Sequence, residues 1–260
     1  MPATDDRVVL CYHAVSEDWP ATLSVDPASF EAHLEYLVSR GYRGITFSEA
    51  VGAESAGKSV AVTFDDGYRS VVEIARPIME RLGLPGTVFV VTDWMGRGPM
   101  SWPGVDHWVG GPHERELTPM SWQQARSLVD SGWEIGSHTS SHPHLTRLGD
   151  TELAEELSGS RAVCERELGV PCRSLAFPYG DRDARVVAAT GAAGYSAGAS
   201  LPAGNPAPDP LDWPRVGVYN GDGGVTFRLK VSPAVRRLRG SRAWGPMTKV
   251  ARVLRLRSRA

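Results

Sequence analysis

Cysteine is scarce in this chain of 260 residues, and its few thiols are not spaced like a metal site or a disulfide framework. The three cysteines, Cys11, Cys164 and Cys172, are odd in number and form no C-x-x-C pair. Structural thiolate zinc sites and small disulfide-stapled domains both need more cysteines, more closely paired. We therefore expect buried free thiols, while a pairing of Cys164 with Cys172 stays open because it depends on the fold.

Long apolar runs are also absent, and this bears on where the protein can lie. No stretch approaches the roughly 20 apolar residues that cross a bilayer. A secretory signal needs a basic start and an apolar run of about 7 to 15 residues, whereas this chain opens with Met-Pro-Ala-Thr-Asp-Asp and then has only a short apolar run. We expect a protein that is cytoplasmic or peripheral at the inner face of a membrane.

Acidic residues stop at Asp222, and the 38 residues after it carry 11 Arg and Lys. The rest of the chain holds 17 basic and 30 acidic residues, so a net charge of -2 combines -13 with +11. Such a basic stretch with interspersed Leu and Val can lie on an anionic membrane or meet a polyanion. It can equally be a helix packed against the acidic body with its arginines in solvent. We divide the chain into a domain at 1–227 and a basic, helical tail at 228–260, and expect no nucleic-acid partner.

The remainder has the makeup of a folded α/β domain, with 42% hydrophobic and 22% charged residues. Short apolar, β-branched runs alternate with helical patterns, which predicts a parallel sheet built from βα units. About 250 residues is also the usual size of one α/β barrel. The predicted strands are 8–12, 44–47, 60–64, 87–91, 133–137, 174–177, 195–198 and 216–219. The predicted helices start near residue 27 and cover 71–82, 121–130, 151–168 and 183–190. Two long segments, 93–119 and 199–214, are predicted loops, and loops of this length often carry function.

The sharpest chemical signal is Thr-Phe-Asp-Asp-Gly at 63–67, at the end of a predicted strand. In a parallel barrel, side chains at the carboxyl ends of strands face the active site. Adjacent strand residues point to opposite faces, but Gly67 permits a turn there, so Asp65 and Asp66 can share one cavity. A surface turn is the alternative interpretation.

A second signal, His138 and His142, follows another predicted strand. Imidazoles four residues apart can lie on one side of a helical turn and reach one cation, although such pairs are often surface or core residues instead. With one carboxylate they would form a half-open set that suits zinc or a similar divalent metal and leaves room for water and substrate.

Together with Phe-Pro-Tyr-Gly at 177–180, these segments resemble the polysaccharide deacetylases, the family 4 carbohydrate esterases that include chitin and peptidoglycan deacetylases. The resemblance covers about residues 8–215. It implies a distorted (β/α) barrel of seven or eight strands. It also implies that Asp66, His138 and His142 hold one divalent metal ion, zinc in preference to Co²⁺, Ni²⁺ or Mn²⁺, and that Asp65 is the general base.

The third motif places Pro178 and Tyr179 at the substrate. By the same resemblance, the backbone N–H of Tyr179 helps to hold the oxyanion, and its ring can line the sugar pocket. Trp213, in a segment similar to the family's Asp-x-x-Asp-Trp, would shape the acetyl pocket.

The chain departs from the family pattern at two catalytic partners. Many members carry an arginine two residues before the proline of the third motif, where this chain has Ala176. Arg215 is our candidate to replace it beside the base, with a surface arginine as the alternative. The late histidine that serves as general acid is missing, and His13, after the first predicted strand, is our candidate for that acid, with a packed structural histidine as the alternative.

The resulting hypothesis is a metal-dependent hydrolase that removes an N-acetyl group from N-acetylhexosamine units of a glycan or a sugar-containing precursor. Two alternatives are a hydrolase of a small non-sugar amide or imide at the same centre, and a non-catalytic glycan- or membrane-binding protein on this scaffold. The basic tail adds a possible contact with a membrane or a polyanion.

Overall fold

The computed structural model describes residues 6–53, 57–201 and 209–239. The strands are β1 (Asp6–Tyr12), β2 (Ala14–Val15), β3 (Ser24–Val25), β4 (Arg43–Gly44), β5 (Lys58–Phe64), β6 (Gly86–Val90), β7 (Glu134–Ser137), β8 (Ser174–Ala176), β9 (Ala197–Ser200), β10 (Trp213–Pro214) and β11 (Val216–Gly217). The α-helices are α1 (Pro27–Ser39), α2 (Phe47–Gly52), α3 (Arg76–Arg81), α4 (Trp122–Asp130), α5 (Asp150–Leu168), α6 (Ala184–Ala192), α7 (Gly224–Val231) and α8 (Pro233–Arg239). A π-helical segment, Val71–Ala75, leads into α3.

The main sheet is parallel and almost closes into a barrel, which confirms the predicted fold class. Its strands run in the order β10, β9, β8, β7, β6, β5, β1, β11, with β4 beside the start of β5. The two outermost strands are consecutive in the chain and separated only by Arg215: β10 pairs with β9, and β11 pairs with β1. The segment 213–217 is therefore a split strand that joins the two edges of the sheet.

Local sequence signals explain most helix boundaries. Asp26 caps α1 by accepting a hydrogen bond from the Ser29 amide at 3.0 Å, and Pro27 occupies the first turn. Ser121 and Gln124 form a capping box at the start of α4. Gly169 ends α5 at a φ of 70°, in the left-handed region that favours glycine.

The core has two layers. One lies inside the barrel and includes Val9, Ala61 and Phe89 with Phe47 of α2; the larger one lies between the strands and the surrounding helices. Phe47 donates its amide to the Thr87 hydroxyl near the start of β6. Helix α2 therefore closes the amino-terminal end of the barrel, and the opposite end is left to carry the site.

The strand predicted at 44–47 is wrong in its second half, because Phe47 begins α2. Thr46 and Glu49 form a capping box, a helix-start signal inside what looked like an apolar strand. The domain boundary predicted between residues 227 and 228 lies inside α7. Residues 240–260 of the predicted tail and 202–208 of the second predicted loop lie outside the described residues. No helix in the described parts of the chain is long and apolar enough to cross a membrane.

Candidate functional site

The predicted catalytic and metal-binding side chains meet at the carboxyl-terminal end of the barrel. They follow or interrupt four strands of the barrel, and each is buried. They are His13 after β1, Asp65 and Asp66 after β5, His138 and His142 after β7, and Arg215 within the closing strand. All except Arg215 line one cavity of about 350 Å³, together with Tyr179 after β8.

The backbone turns sharply here to direct these side chains inward. Among the described residues, the non-glycine residues with positive φ are Asp66, Thr139, His142 and Tyr179, at φ values of 58° to 70°. Because this region disfavours residues with a Cβ, such strain concentrates where function over-determines the conformation. Asp66 and Gly67 are both left-handed, so the chain reverses and both carboxylates face the cavity.

Asp66, His138 and His142 converge on one point. The Asp66 Oδ1 atom lies 3.4 Å from Nε2 of His138 and 3.5 Å from Nε2 of His142. Ligands about 2.0–2.1 Å from a tetrahedral zinc ion stand roughly 3.3–3.4 Å apart, so these separations fit a shared divalent cation. The Nδ1 atom of His138 donates to the Ala176 carbonyl at 2.9 Å, because a carbonyl can only accept. That bond leaves the Nε2 lone pair free to bind a metal.

The pKa shifts of these three residues reflect burial and the charges that face one another. Burial lowers the pKa of His142 to about 3, which keeps this imidazole neutral, as a metal ligand must be. Burial also disfavours a charge on His138, but the adjacent carboxylates of Asp66 and Asp65 outweigh burial and raise its pKa. Burial favours protonated Asp66, yet His138 and the other imidazoles hold its pKa below the ordinary value.

Arg215 holds Asp65 in a bidentate ion pair. The two guanidinium nitrogens lie 2.6 and 2.8 Å from Oδ1 and Oδ2, and both side chains are almost fully buried. Arg215 also donates to the Thr63 hydroxyl at 3.0 Å and lies over the Phe89 ring. Burial alone would raise the pKa of Asp65, but the guanidinium holds it well below its usual range. The ion pair thus favours the ionised form of Asp65.

A second cluster, Cys11 with His13 and Asp65, also brings three possible ligand atoms together. The Cys11 thiol lies 3.3 Å from Oδ2 of Asp65 and donates to it, since burial raises the pKa of this thiol well above its ordinary value. Both oxygens of Asp65 already accept from Arg215, whose charge repels another cation. The set of Asp66, His138 and His142 is therefore the better metal site.

His13 lies at the cavity wall with 9% of its surface exposed. Its buried Nδ1 atom has no hydrogen-bond partner within the protein. The ring is tilted against Tyr219, with ring centres 6.3 Å apart. An unpartnered ring nitrogen beside the base is available to exchange a proton with a ligand in the cavity.

The ring of Tyr179 lies against His142, one of the three proposed metal ligands. Its ring lies 4.6 Å from that of His142 and stacks on His144 at 4.1 Å, and its hydroxyl donates to the Pro103 carbonyl at 3.4 Å. Pro178 is buried directly before it and starts a short 3₁₀ turn, but does not line the cavity. Its fixed φ helps to set the turn that presents Tyr179.

Trp213 is another predicted site residue that does not line the cavity. It packs against the barrel interior, with the guanidinium of Arg7 5.1 Å above its ring. Trp213 and Arg215 share one side of the split strand, but Trp213 stands two residues closer to its amino-terminal end, about 6 to 7 Å lower in the barrel. We do not retain it as a substrate contact.

Trp102 supplies an aromatic wall instead. It belongs to the predicted loop 93–119 and stacks on His142 with ring centres 4.3 Å apart. Leu23, Leu201 and Tyr219 also line the cavity, and the motifs did not single them out. Tyr219 could have been found from the sequence, because it ends a predicted strand. Leu23 and Leu201 do not end a predicted strand.

Buried carboxylates and imidazoles at the open end of a barrel are typical of an enzyme site. The polysaccharide deacetylase family model matches residues 52–198, more than half of the chain. This chain belongs to the polysaccharide deacetylase family, which confirms the resemblance seen in its motifs.

Individual relatives agree. YxkH of Bacillus subtilis, named as a polysaccharide deacetylase, is 25% identical over 232 residues, covering 87% of this chain and 72% of its own. Poly-beta-1,6-N-acetyl-D-glucosamine N-deacetylase of Staphylococcus aureus is 23% identical over 170 residues, covering 60% of this chain. The match spans only 54% of the staphylococcal protein. These relatives support a carbohydrate deacetylase.

Solved structures share the fold. A polysaccharide deacetylase from Bacillus cereus superposes with a TM-score of 0.70 at 25% identity, covering 87% of this chain and 69% of that one. IcaB from Ammonifex degensii gives a TM-score of 0.72 at 26% identity, covering 88% of this chain and 98% of that one.

Proposed function

We propose that this protein is a metal-dependent N-deacetylase that acts on N-acetylhexosamine units of a glycan or glycan precursor. The observation that carries this proposal is the convergence of Asp66, His138 and His142 beside the ion pair of Asp65 and Arg215. These three residues would hold one divalent cation, zinc in the first instance. When bound, the cation polarises the acyl carbonyl and makes water more acidic.

Asp65 is the proposed general base. Before the reaction, Arg215 keeps the Asp65 carboxylate ionised and fixed. As a water molecule attacks the acyl carbon, Asp65 accepts a proton from that water. A carboxyl with so low a pKa holds the proton weakly and can release it in a later step. Arg215 thus orients Asp65 and supplies positive charge, while Asp65 accepts the proton and later releases it.

Two further groups complete the proposed reaction. The backbone N–H of Tyr179 donates to the acyl oxygen as negative charge develops on it. His13 gives a proton to the nitrogen as the C–N bond breaks, which releases acetate and a free amine. Its place in the cavity wall with an unpartnered Nδ1 supports this role.

The cavity walls support a sugar substrate. Trp102, Tyr179 and Tyr219 present aromatic surface around the buried charged groups. A mostly apolar wall with a few polar groups is the usual form of a small-molecule site, and aromatic rings suit the apolar faces of sugars. The name of the staphylococcal relative, a poly-N-acetylglucosamine N-deacetylase, points to the same substrate class.

The test measures bound metal by elemental analysis and acetate release from N-acetylglucosamine oligomers. We expect about one metal ion per chain in both the native protein and Asp65→Asn, with acetate release only in the native protein. Asp130→Asn is the control, since Asp130 is exposed and should leave both quantities unchanged.

Three outcomes would contradict the proposal. Native protein without bound metal would exclude the proposed metal centre. Undiminished acetate release by Asp65→Asn would exclude Asp65 as the base. Metal binding with hydrolysis of a cyclic imide but none of the oligomers would favour the small-amide alternative.

For the acid, His13→Ala should lose turnover and keep its metal; full activity of this variant would exclude the role of His13 as the acid.

A further inference from the structure

Helix α7 is attached to the barrel by one face only. Phe227 is fully buried and stacks on His33 of α1 with ring centres 4.1 Å apart, and it meets the edge of Tyr36 at 6.4 Å. Val231, one turn later, is 3% exposed. These contacts fix the helix on the body and determine which of its residues point outward.

The outward face of α7 is apolar as well as basic. Val225 and Leu229 lie one turn apart and are 74% and 59% exposed, the highest values among large hydrophobic side chains in the described residues. Single exposed aliphatic residues are ordinary. A pair at i and i+4 on one helix face, with cations beside it, presents apolar surface and positive charge together, which is what binding to an anionic membrane surface needs.

The cations beside this pair come from two helices. Arg228 of α7 and Arg40, which follows α1, each place a guanidinium over the ring of Tyr36, at 5.1 and 5.2 Å. Lys230 points inward instead and binds the Gly217 carbonyl and the Asp222 carboxylate. Glu35 is an exposed acid on the neighbouring helix α1. We call Val225, Arg228 and Leu229 with Tyr36 and Arg40 the α7 face.

Charge complementarity selects the partner of this face. Arg228 and Arg40 give the face its positive charge, so an anionic partner is favoured. A soluble polyanion would use these cations but would leave Val225 and Leu229 in water. An anionic lipid surface uses both, because basic residues meet the headgroups and the aliphatic pair enters the interface.

We propose that the α7 face docks this protein on an anionic lipid bilayer. Lys230, on the inward side of α7, ties this helix to the segment 217–222, which carries the cavity-lining Tyr219. Docking therefore brings one wall of the cavity close to the lipid surface. Membrane binding needs no catalysis, so it is measured independently of the proposed deacetylase activity.

The test is co-sedimentation of the full chain with vesicles of phosphatidylcholine, alone or mixed with phosphatidylglycerol. We expect binding to the mixed vesicles, weakened at least tenfold by the double substitution Val225→Asp with Leu229→Asp. Val170→Asp is the matched control, since Val170 is an exposed valine elsewhere, at 38%; it should bind like the native protein. Circular dichroism and urea unfolding check that each variant is folded.

The opposite substitution guards against a folding defect. Val225→Trp with Leu229→Trp should strengthen binding several-fold, because tryptophan favours the interface. The proposal fails if mixed vesicles bind no better than phosphatidylcholine alone, or if the Asp double variant binds like the native protein. It also fails if heparin displaces the protein from vesicles while the Trp double variant gains no affinity, which would indicate a polyanion site.

Discussion

The two ends of the barrel are built in opposite ways. At the amino-terminal end, Phe47 fills the interior, and the Glu134 carboxylate accepts from Ser48, Thr87 and Ser174. At the carboxyl-terminal end, carboxylates and imidazoles are buried together, and ring nitrogens of His13 and His142 lack partners within the protein. The amino-terminal end pairs most of its polar groups, although the Ser59 hydroxyl lacks a partner there, whereas the carboxyl-terminal end gathers unpaired imidazole nitrogens around a cavity.

Backbone strain follows the same division. The left-handed non-glycine residues, Asp66, Thr139, His142 and Tyr179, all belong to the site end in the part of the chain described. Strain and unpaired buried polar groups both reduce stability. The confinement of the strained residues to one end indicates that stability is supplied mainly by the other, and substitutions at the two ends should separate activity from stability.

The largest effect is expected at the set of proposed metal ligands, Asp66, His138 and His142. Asp66→Asn removes the only carboxylate of that set, so bound metal should fall from about one per chain toward zero and acetate release by about a thousandfold or more. The isosteric amide leaves packing intact, so unfolding by urea in EDTA should change by less than about 1 kcal/mol. A loss of several kcal/mol in EDTA would instead make Asp66 a structural residue.

Arg215 is expected to affect both properties. Arg215→Met leaves Asp65 buried without its partner, which should cost about 3–5 kcal/mol of unfolding free energy and most of the acetate release. Adding Asp65→Leu removes the unpaired charge, so stability should largely return while activity stays lost. Equal stability of the single and double variants would show that the ion pair is not the cause.

Phe47→Ala tests the opposite end. The cavity it leaves should cost about 3–5 kcal/mol, with kcat and KM nearly unchanged at a temperature where the variant is folded. Chemical denaturation and acetate release measure the two effects. Val51, also in α2, offers a milder comparison. It is only partly buried, so Val51→Ala should cost less stability than Phe47→Ala. Loss of kcat in folded Phe47→Ala would break the separation between the ends.

The smallest effect concerns Asp6, at the start of β1. Burial raises the pKa of this carboxyl, but hydrogen bonds from Tyr42 and Arg236 outweigh burial and hold it below the ordinary value. Because the folded pKa is lowered, the stabilisation is present above the ordinary pKa of about 4 and is lost as the pH falls through the folded pKa. Asp6→Asn should therefore cost up to about 1 kcal/mol at pH 7.

Urea unfolding at several pH values checks this sign. The difference between native protein and Asp6→Asn should be equal at pH 7 and pH 5, and should shrink toward pH 3. A difference that grows on acidification would contradict the assignment of the lowered pKa to Asp6.

The sequence predicted the carboxyl-terminal end of the barrel better than the amino-terminal end. Asp65, Asp66 and His138 stand at strand ends, and the periodicity of a strand together with barrel geometry brings such positions together. Arg215 lies beside Asp65 where the motif comparison suggested. Helix α2 was missed because its capping signal, Thr46 with Glu49, is embedded in a run that also alternates like a strand.

Depth within the barrel was not predictable from motifs. Trp213 and Arg215 are both near the strand that closes the sheet, but two residues of rise separate the cavity from the interior packing below it. The contact of Cys11 with Asp65 likewise depends on the register between β1 and β5, in which Cys11 pairs with Thr63. Such registers are set by the whole sheet and not by local sequence.

The split strand at 213–217 has a consequence for how the protein becomes active during folding. Arg215 and Asp65 are 150 residues apart in the chain, and they meet where the sheet closes on itself. Contacts of such separation pay the largest loop-closure entropy and tend to form late. Deacetylase activity would then appear only with the last step of folding, and an open barrel released from a ribosome or a chaperone would be inert.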